Sequence, residues 1–380
     1  MPANRDIRVE AVTEAVEAKA SDSEAAVIDE HVRRPLIGLT PEQLSEVAVS
    51  VGLPRFAGKQ MARWLYVGRA TSVDEMTDLS KQGRIRLAQA GYVVGREEPL
   101  ASTASRDGTV KYLFRGCGGR DVESVYIPEK DGRATLCVSS QAGCKMHCAF
   151  CMTGRQGFHG NLTTAQIINQ ILSIPQSRDL TNVVFMGMGE PTDNLDAVLD
   201  TIEILTAPWG LAWSPKRITV STVGNIPGLR RLLDKTSVHI AISVHSADAE
   251  QRQALMPVQK AFPIREVMAL LRDYDFAHQR RLSVEYILWD GVNDTPQSMR
   301  ALARLLRGTD ARVNIIPYHP IGGDSLRPSS RRVQENFRDG LNDLGITATI
   351  RASRGQDIMA ACGMLAGAAK KQQPPYQDEE

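Results

Sequence analysis

Ala134-Thr-Leu-Cys137-Val-Ser-Ser-Gln141-Ala-Gly-Cys144-Lys-Met-His-Cys148-Ala-Phe-Cys151-Met-Thr-Gly154 is the stretch on which the reading of this chain turns. Residues 134–139 have the composition of a short buried strand, and three thiols spaced four and three apart follow on a loop. Such thiols can converge on one metal centre, with Gly143 and Gly154 relieving the crowding on either side. A structural zinc with His147 or His159 as fourth ligand is one reading, since zinc accepts three cysteines and a histidine. Zinc sites of that kind pair two short knuckles, however, and the sequence holds no second Cys/His knuckle. Three cysteines without a fourth suit a [4Fe-4S] cluster whose remaining iron is open to a substrate.

Outward from this stretch, short β-rich runs alternate with helical patterns. Strands are predicted at residues 134–139, 182–186, 217–222, 238–244, 282–288 and 313–316, with a further one at 346–351 that ends near Arg354-Gly355. Thr163 and Gln166 form a candidate capping box for a helix burying Ile167, Ile168, Ile171 and Leu172. Leu195, Val198, Leu199, Ile202 and Leu205 mark one face of the next helix. Alternation of this kind demands parallel strands with right-handed crossovers. Six units fall short of the eight that close a full β/α barrel. The expected fold class is therefore α/β, a partial (β/α)6 barrel, with chemistry at the carboxyl ends of its strands. Before it, residues 36–94 read as a small helical module, with Thr40-Pro41 as a start signal and Leu44, Val47, Ala48 and Val51 as one apolar stripe.

Composition bounds the rest. The chain has 380 residues, 42% hydrophobic and 23% charged, which is ordinary for a folded protein of two or three units. No run of eighteen apolar residues occurs and the N-terminus lacks a secretory apolar core, so a cytoplasmic protein that does not enter membranes is expected. Six cysteines are too few for a disulfide scaffold. The net charge of +1 neither announces nor excludes a nucleic-acid partner. Residues 1–35 hold eight acids against five bases and read as a flexible acidic extension, and residues 368–380 as a flexible tail.

The CxxxCxxC loop after the first strand of a partial barrel resembles the signature of radical S-adenosylmethionine (radical SAM) enzymes. Four further motifs narrow the resemblance: Val122-Glu123-Ser-Val-Tyr-Ile-Pro128-Glu129, Arg133-Ala-Thr-Leu-Cys137-Val-Ser-Ser-Gln141, Met186-Gly-Met-Gly-Glu190-Pro191 and Ala360-Ala-Cys362-Gly363. Together they look like the RlmN-type dual-specificity rRNA/tRNA adenine C2-methyltransferases. The resemblance divides the chain into an accessory RNA-binding domain at 36–94, a linker or β extension carrying Glu123 at 95–133, and the radical SAM barrel with its C-terminal Cys362 loop at 134–367.

What the resemblance implies is specific. Cys144, Cys148 and Cys151 would ligate the cluster, and S-adenosylmethionine would sit against Gly189, Glu190, Ser221, Ser243, Val244, His245 and His319. The family more often has leucine at the position of Val244 and asparagine at that of His319. Cys362 would be methylated to S-methylcysteine by one S-adenosylmethionine. A second would give the 5′-deoxyadenosyl radical that turns this methyl group into a methylene radical able to add to adenine C2. Glu123 would accept the C2 proton, and Cys137 would release the product through a transient Cys137-Cys362 disulfide. Taken alone, Cys137 and Cys362 read as small buried hydrophobes, Ser221 as a turn serine, and Cys117 fits no motif.

The implied partners are 23S rRNA, at an adenosine of the peptidyl-transferase centre, and tRNA, at the adenosine 3′ of the anticodon. An electron donor such as a flavodoxin and a thiol reductant are implied as well, with the enzyme acting as a monomer. In the helical module Lys59, Arg63, Trp64 and Tyr66 are candidate RNA contacts, with a core position as the alternative for Trp64. Two rival functions share these features: a C8-specific rRNA adenine methyltransferase conferring antibiotic resistance, and a non-catalytic zinc or iron-sulfur RNA-binding protein.

Overall fold

Apolar runs too short for helices, separated by amphipathic stretches, give this chain its alternating strands and helices. The computed structural model describes residues 33–278, 280–323 and 325–366. At its start β1 (Arg34–Pro35) pairs parallel with β2 (Tyr92–Val93) and so ties together the ends of a helical unit. That unit holds α1 (Pro41–Ser50), α2 (Ala57–Ala62) and α3 (Lys81–Gln89). Thr40 caps α1 by accepting the Gln43 amide, while the Gln43 side chain accepts the Thr40 amide. Leu44, Ala48 and Val51 are buried as the apolar stripe predicts, and Val47 is only half-buried. The extension expected at residues 1–35 lies outside the described residues except for its end, which is corrected: Arg34 and Pro35 belong to a strand. The tail at 368–380 lies outside them altogether.

Residues 95–133, expected as a linker or β extension, form three antiparallel strands: β3 (Ala101–Ala104), β4 (Val110–Phe114) and β5 (Val122–Pro128). They are an antiparallel wing of the main sheet and not a linker, because β5 pairs directly with the first barrel strand, β6 (Ala134–Cys137). A short hairpin of β7 (Gln141–Gly143) and β8 (Phe158–Asn161) brackets the cysteine loop and a single turn, α4 (Met152–Arg155).

The barrel then runs α5 (Thr164–Leu172), β9 (Asn182–Phe185), α6 (Leu195–Thr206), β10 (Ile218–Thr222), α7 (Ile226–Lys235), β11 (His239–Ser243), α8 (Ala249–Leu255), α9 (Ile264–Arg272), β12 (Leu282–Leu288), α10 (Pro296–Leu306), β13 (Arg312–Pro317), α11 (Arg331–Asp343) and β14 (Ala348–Ile350). The sheet order is β14-β13-β12-β11-β10-β9-β6-β5-β4-β3, parallel from β6 to β14. Six expected barrel strands are present, β14 adds a seventh parallel one, and the sheet stays open.

Register gives the sheet two unlike faces. Leu136, Val183, Val220, Ile240, Ile242, Val284, Tyr286, Val313 and Ile315 point one way and are buried. Cys137, Ser221, Ser243, Glu285 and Asn314 share the other face, the lumen, where most side chains are only half-buried. At the carboxyl ends of the strands the Arg252 side chain is fully buried. Its guanidinium donates to the carbonyls of Val223 at 2.9 Å, Ser243 at 3.1 Å and Val244 at 3.1 Å, and to Gln259 Oε1 at 2.7 Å. Arg252→Met leaves these acceptors unsatisfied inside the protein, so it is expected to cost about 3–5 kcal/mol. Denaturant unfolding of the variant checks this as a lowered midpoint.

Candidate active site

The cysteine loop is fixed at both ends by the backbone. Cys144 N donates to Gly157 O at 3.0 Å, Ala149 N to Leu255 O at 2.9 Å, and Cys151 N to Cys148 O at 3.2 Å. Gly143 has φ +75, and a Cβ there would fall 1.8 Å from the Gly157 carbonyl, so only glycine lets the two strands close behind the loop. Burial pushes the Cys144 thiol up to about 12, with Glu190, Cys151 and Asp193 adding to it. Cys148 is held well above the ordinary thiol value by burial, then by Cys151 and Cys144. Cys144 and Cys148, each raised by burial and by neighbouring thiols, need a cation if they are to be thiolates together, which is the chemistry of a cluster ligand set.

A single zinc ion fits less well. His147 is exposed, the His159 ring lies 3.1 Å from the Gln156 carbonyl, and among the described residues no three His, Cys, Asp or Glu side chains gather closely enough for one ion.

The remaining predicted residues sit on the strand ends around this loop. After β9, Gly189 has φ +97, and a Cβ there would meet Gln141 at 2.5 Å. Glu190 N donates to Gln141 Oε1 at 2.8 Å. The buried Glu190 carboxylate accepts from Thr192 N at 3.1 Å, Thr192 Oγ1 at 2.5 Å and Val223 N at 3.0 Å, while burial raises its pKa. Ser221 and Ser243 face the lumen. The Val244 side chain is fully buried. His245 Nδ1 accepts from Ile287 N at 3.1 Å, and the ring packs edge-on to Phe150 of the cysteine loop at 4.7 Å between centroids. Burial lowers its pKa to about 3, with Arg252 adding to the effect, so the ring is neutral and braces the loop from behind. His319, after β13, pairs with Ser353 Oγ at 2.7 Å, and burial lowers its pKa.

A second group of residues meets the loop from the other side. Gly363 O accepts from Met152 N at 2.8 Å, and Leu365 O from Thr153 Oγ1 at 2.7 Å, which sets the Cys362 segment directly on α4. Cys362 is exposed at the lumen mouth, where it can be reached. The protein packed beneath it raises its pKa, Arg351 opposing and Glu285 and Cys151 adding. Cys137 is buried below it and pushed up to about 12, first by burial and then by Cys362. Glu123 Oε1 pairs with Lys111 Nζ at 3.0 Å, and Oε2 accepts from Ala366 N at 2.8 Å.

The sequence reading missed Lys111, Arg252, Glu285 and Arg351. Burial opposes the Arg351 charge, yet Glu285, Cys362, Cys137 and Glu129 together hold its pKa up. Glu285 accepts from Asn314 Nδ2 at 2.8 Å and Ser283 Oγ at 3.1 Å. A carboxylate inside the apolar run Val284-Glu285-Tyr286-Ile287-Leu288 was a readable signal; the contacts of Arg252 and Lys111 were not.

Comparison with known proteins identifies the family. Residues 138–306 match the radical SAM superfamily, and residues 35–93 match the ribosomal RNA large subunit methyltransferase N-terminal domain. The chain is 54% identical over 336 residues to a Parabacteroides distasonis protein named "Probable dual-specificity RNA methyltransferase RlmN", covering 88% of this chain and 97% of that one. It is 42% identical over 353 residues to the dual-specificity RNA methyltransferase RlmN of Syntrophotalea carbinolica, covering 93% and 95%. The crystal structure of a radical SAM methyltransferase from Sphaerobacter thermophilus superposes with a TM-score of 0.81 at 38% identity, covering 87% and 98%. Membership of the radical SAM superfamily entails S-adenosylmethionine and a [4Fe-4S] cluster, for which Cys144, Cys148 and Cys151 are a fitting donor set. Fold, cysteine loop and comparisons agree: the chain belongs to the RlmN family of dual-specificity RNA methyltransferases, radical SAM enzymes.

Proposed function

We propose that this protein methylates adenine C2 in 23S rRNA, at the peptidyl-transferase centre, and in tRNA, 3′ of the anticodon. The observation that carries the reading is that Glu123 on β5 and Cys137 on the neighbouring β6 share the lumen face, while Ala366 N, four residues past Cys362, donates to Glu123, all outside the cysteine loop. Adenine C2 lies between two ring nitrogens and is no nucleophile, so a direct polar methyl transfer has nothing to attack with. When bound, the cluster on Cys144, Cys148 and Cys151 together with S-adenosylmethionine supplies one-electron chemistry able to remove hydrogen from an unactivated methyl group.

The chain's own residues do the rest. Cys362, the exposed thiol, accepts the methyl group as a thiolate and carries the carbon to C2. Glu123 takes the C2 proton. Once the adduct has given up its unpaired electron, which the bound cluster would accept, Cys137 attacks the Cys362 sulfur; the carbon leaves with the bonding pair and is protonated to the methyl group, and the disulfide that remains must be reduced by a cellular thiol. Two S-adenosylmethionine molecules would be needed per turnover, one to supply the methyl group and one to supply the one-electron chemistry. Gly189, Glu190, Ser221, Ser243 and His319 border the S-adenosylmethionine site. Val244 contributes through its backbone, and His245 positions Phe150.

For the RNA itself, Lys59 and Arg63 are exposed on the helical unit, whereas the Tyr66 side chain is buried with its hydroxyl on Leu39 O at 2.7 Å and cannot meet RNA. Trp64 is half-buried and donates to Asp78 at 2.6 Å, an assignment nearer to core than to contact. No described helix is long and apolar enough to cross a membrane. The reading adds a monomeric enzyme in the cytoplasm, supplied by a flavodoxin-like electron donor.

Cys144→Ala is expected to lose the cluster and all S-adenosylmethionine cleavage, read as absent iron and sulfide after anaerobic reconstitution. Cys137→Ala is expected to form the carbon bond and stall there. It should purify with RNA that survives denaturing electrophoresis and vanishes on nuclease treatment, leaving a nucleotide mass on the Cys362 peptide. RNA-free protein with normal turnover would remove the resolving role.

A further inference from the structure

Lys111 stands opposite Val125 and Glu123 opposite Leu113, so Lys111 and Glu123 are diagonal neighbours on one face of the β4–β5 pair. Val125 in turn stands opposite Cys137, which puts the ammonium, the carboxylate and the buried thiol on the same lumen face. The ion pair is 3.0 Å long, with side chains only 15% and 10% exposed. The ammonium also donates to Met359 O at 3.4 Å, and the second Glu123 oxygen accepts from Ala366 N at 2.8 Å. These two anchors lie on either side of Cys362 in the chain. Desolvating such a pair offsets much of its attraction, so it is a poor device for stability alone.

We infer that Lys111 is a positioning residue that clips the proton acceptor Glu123 to the loop carrying Cys362, holding the carboxylate at the C2 hydrogen of an adenine joined to that cysteine. The inference rests on the reading of Glu123 as proton acceptor. In the step concerned the C2–H bond breaks, its proton passes to a lone pair of the Glu123 carboxylate, and the bonding electrons stay in the adduct. One methylene joins the Cys362 sulfur to C2, so the spacing between Glu123 and the loop sets the distance the proton must travel. Displacement of a reacting group by about 1 Å can cost roughly 100-fold in rate.

The test uses the full-length holoenzyme as Lys111→Met, Lys111→Arg and Glu123→Gln, with RNA carrying hydrogen or deuterium at adenine C2. Lys111→Met is expected to contain S-methylcysteine at residue 362 at the wild-type level, to accumulate the protein–RNA adduct, and to lose about 100-fold in product formation. Deuterium should slow product formation by this variant and leave the wild type unaffected, and Lys111→Arg should restore turnover. Loss of Cys362 methylation in Lys111→Met would mark a merely structural role and overturn the inference. So would wild-type turnover without an isotope effect in Lys111→Met while Glu123→Gln accumulates adduct. If Glu123→Gln itself turns over normally, the reading of Glu123 fails and the inference falls with it.

Discussion

Arg252 is the constraint on which the reactive end of this barrel depends. Parallel strands end in carbonyls that have lost their ladder partners, and at the ends of β10 and β11 one guanidinium satisfies three of them at once. The same helix, α8, offers the Leu255 carbonyl to Ala149, so the side chain that joins the strand ends belongs to the element that holds the cysteine loop. Its charge is costly to bury, and burial lowers its pKa to about 10. Cys148 lies near enough to oppose that shift, which makes a thiolate in the loop and a cation beneath it mutually favourable.

From that anchor the two faces of the sheet divide the labour. The helix-facing side is apolar and close-packed, which gives the strands their rigidity. The lumen side gathers polar groups from successive strands: Lys111, Glu123, Cys137, Ser221, Ser243, Glu285 and Asn314. Period-two alternation in each strand is enough to produce this, since pairing in register aligns every second residue across the sheet. The thiols show the result. Cys137 on the lumen face is buried, and its pKa is pushed up to about 12, first by burial and then by Cys362.

Much of this was legible in the sequence because it is local. Strand positions, the Thr163–Gln166 capping box, the helix faces and the cysteine spacing each follow from residues within one turn or one strand, and the structure reproduces them to within two residues at strand ends. At β6 the prediction ran on to Ser139, whereas Ser139 N leaves the ladder for Gln170 Oε1 at 2.9 Å. Contacts across the fold were not legible. Arg252 is an ordinary amphipathic-helix arginine until its four acceptors are known. Nothing local in the sequence announces that the His245 ring packs on Phe150 and accepts from Ile287 N. Residues 95–133 read equally as a linker or a β extension, because nothing local distinguishes a sheet edge that continues, as β5 does onto β6, from one that stops.

The Cys362 loop is also held by distant chain at its other end. Asp107 accepts from Gly355 N at 3.0 Å, and Asp357 accepts from Ser105 Oγ at 2.6 Å and Arg106 N at 3.2 Å, all across about 250 residues of intervening sequence. A ribosome making this chain therefore completes the cysteine loop long before it reaches Cys362 and the carbonyls of Gly363 and Leu365 that seat on α4. Completion of the site is a late event of synthesis, since the antiparallel wing, the cysteine loop and the Cys362 segment are joined only once Ala366 has been made and can donate to Glu123.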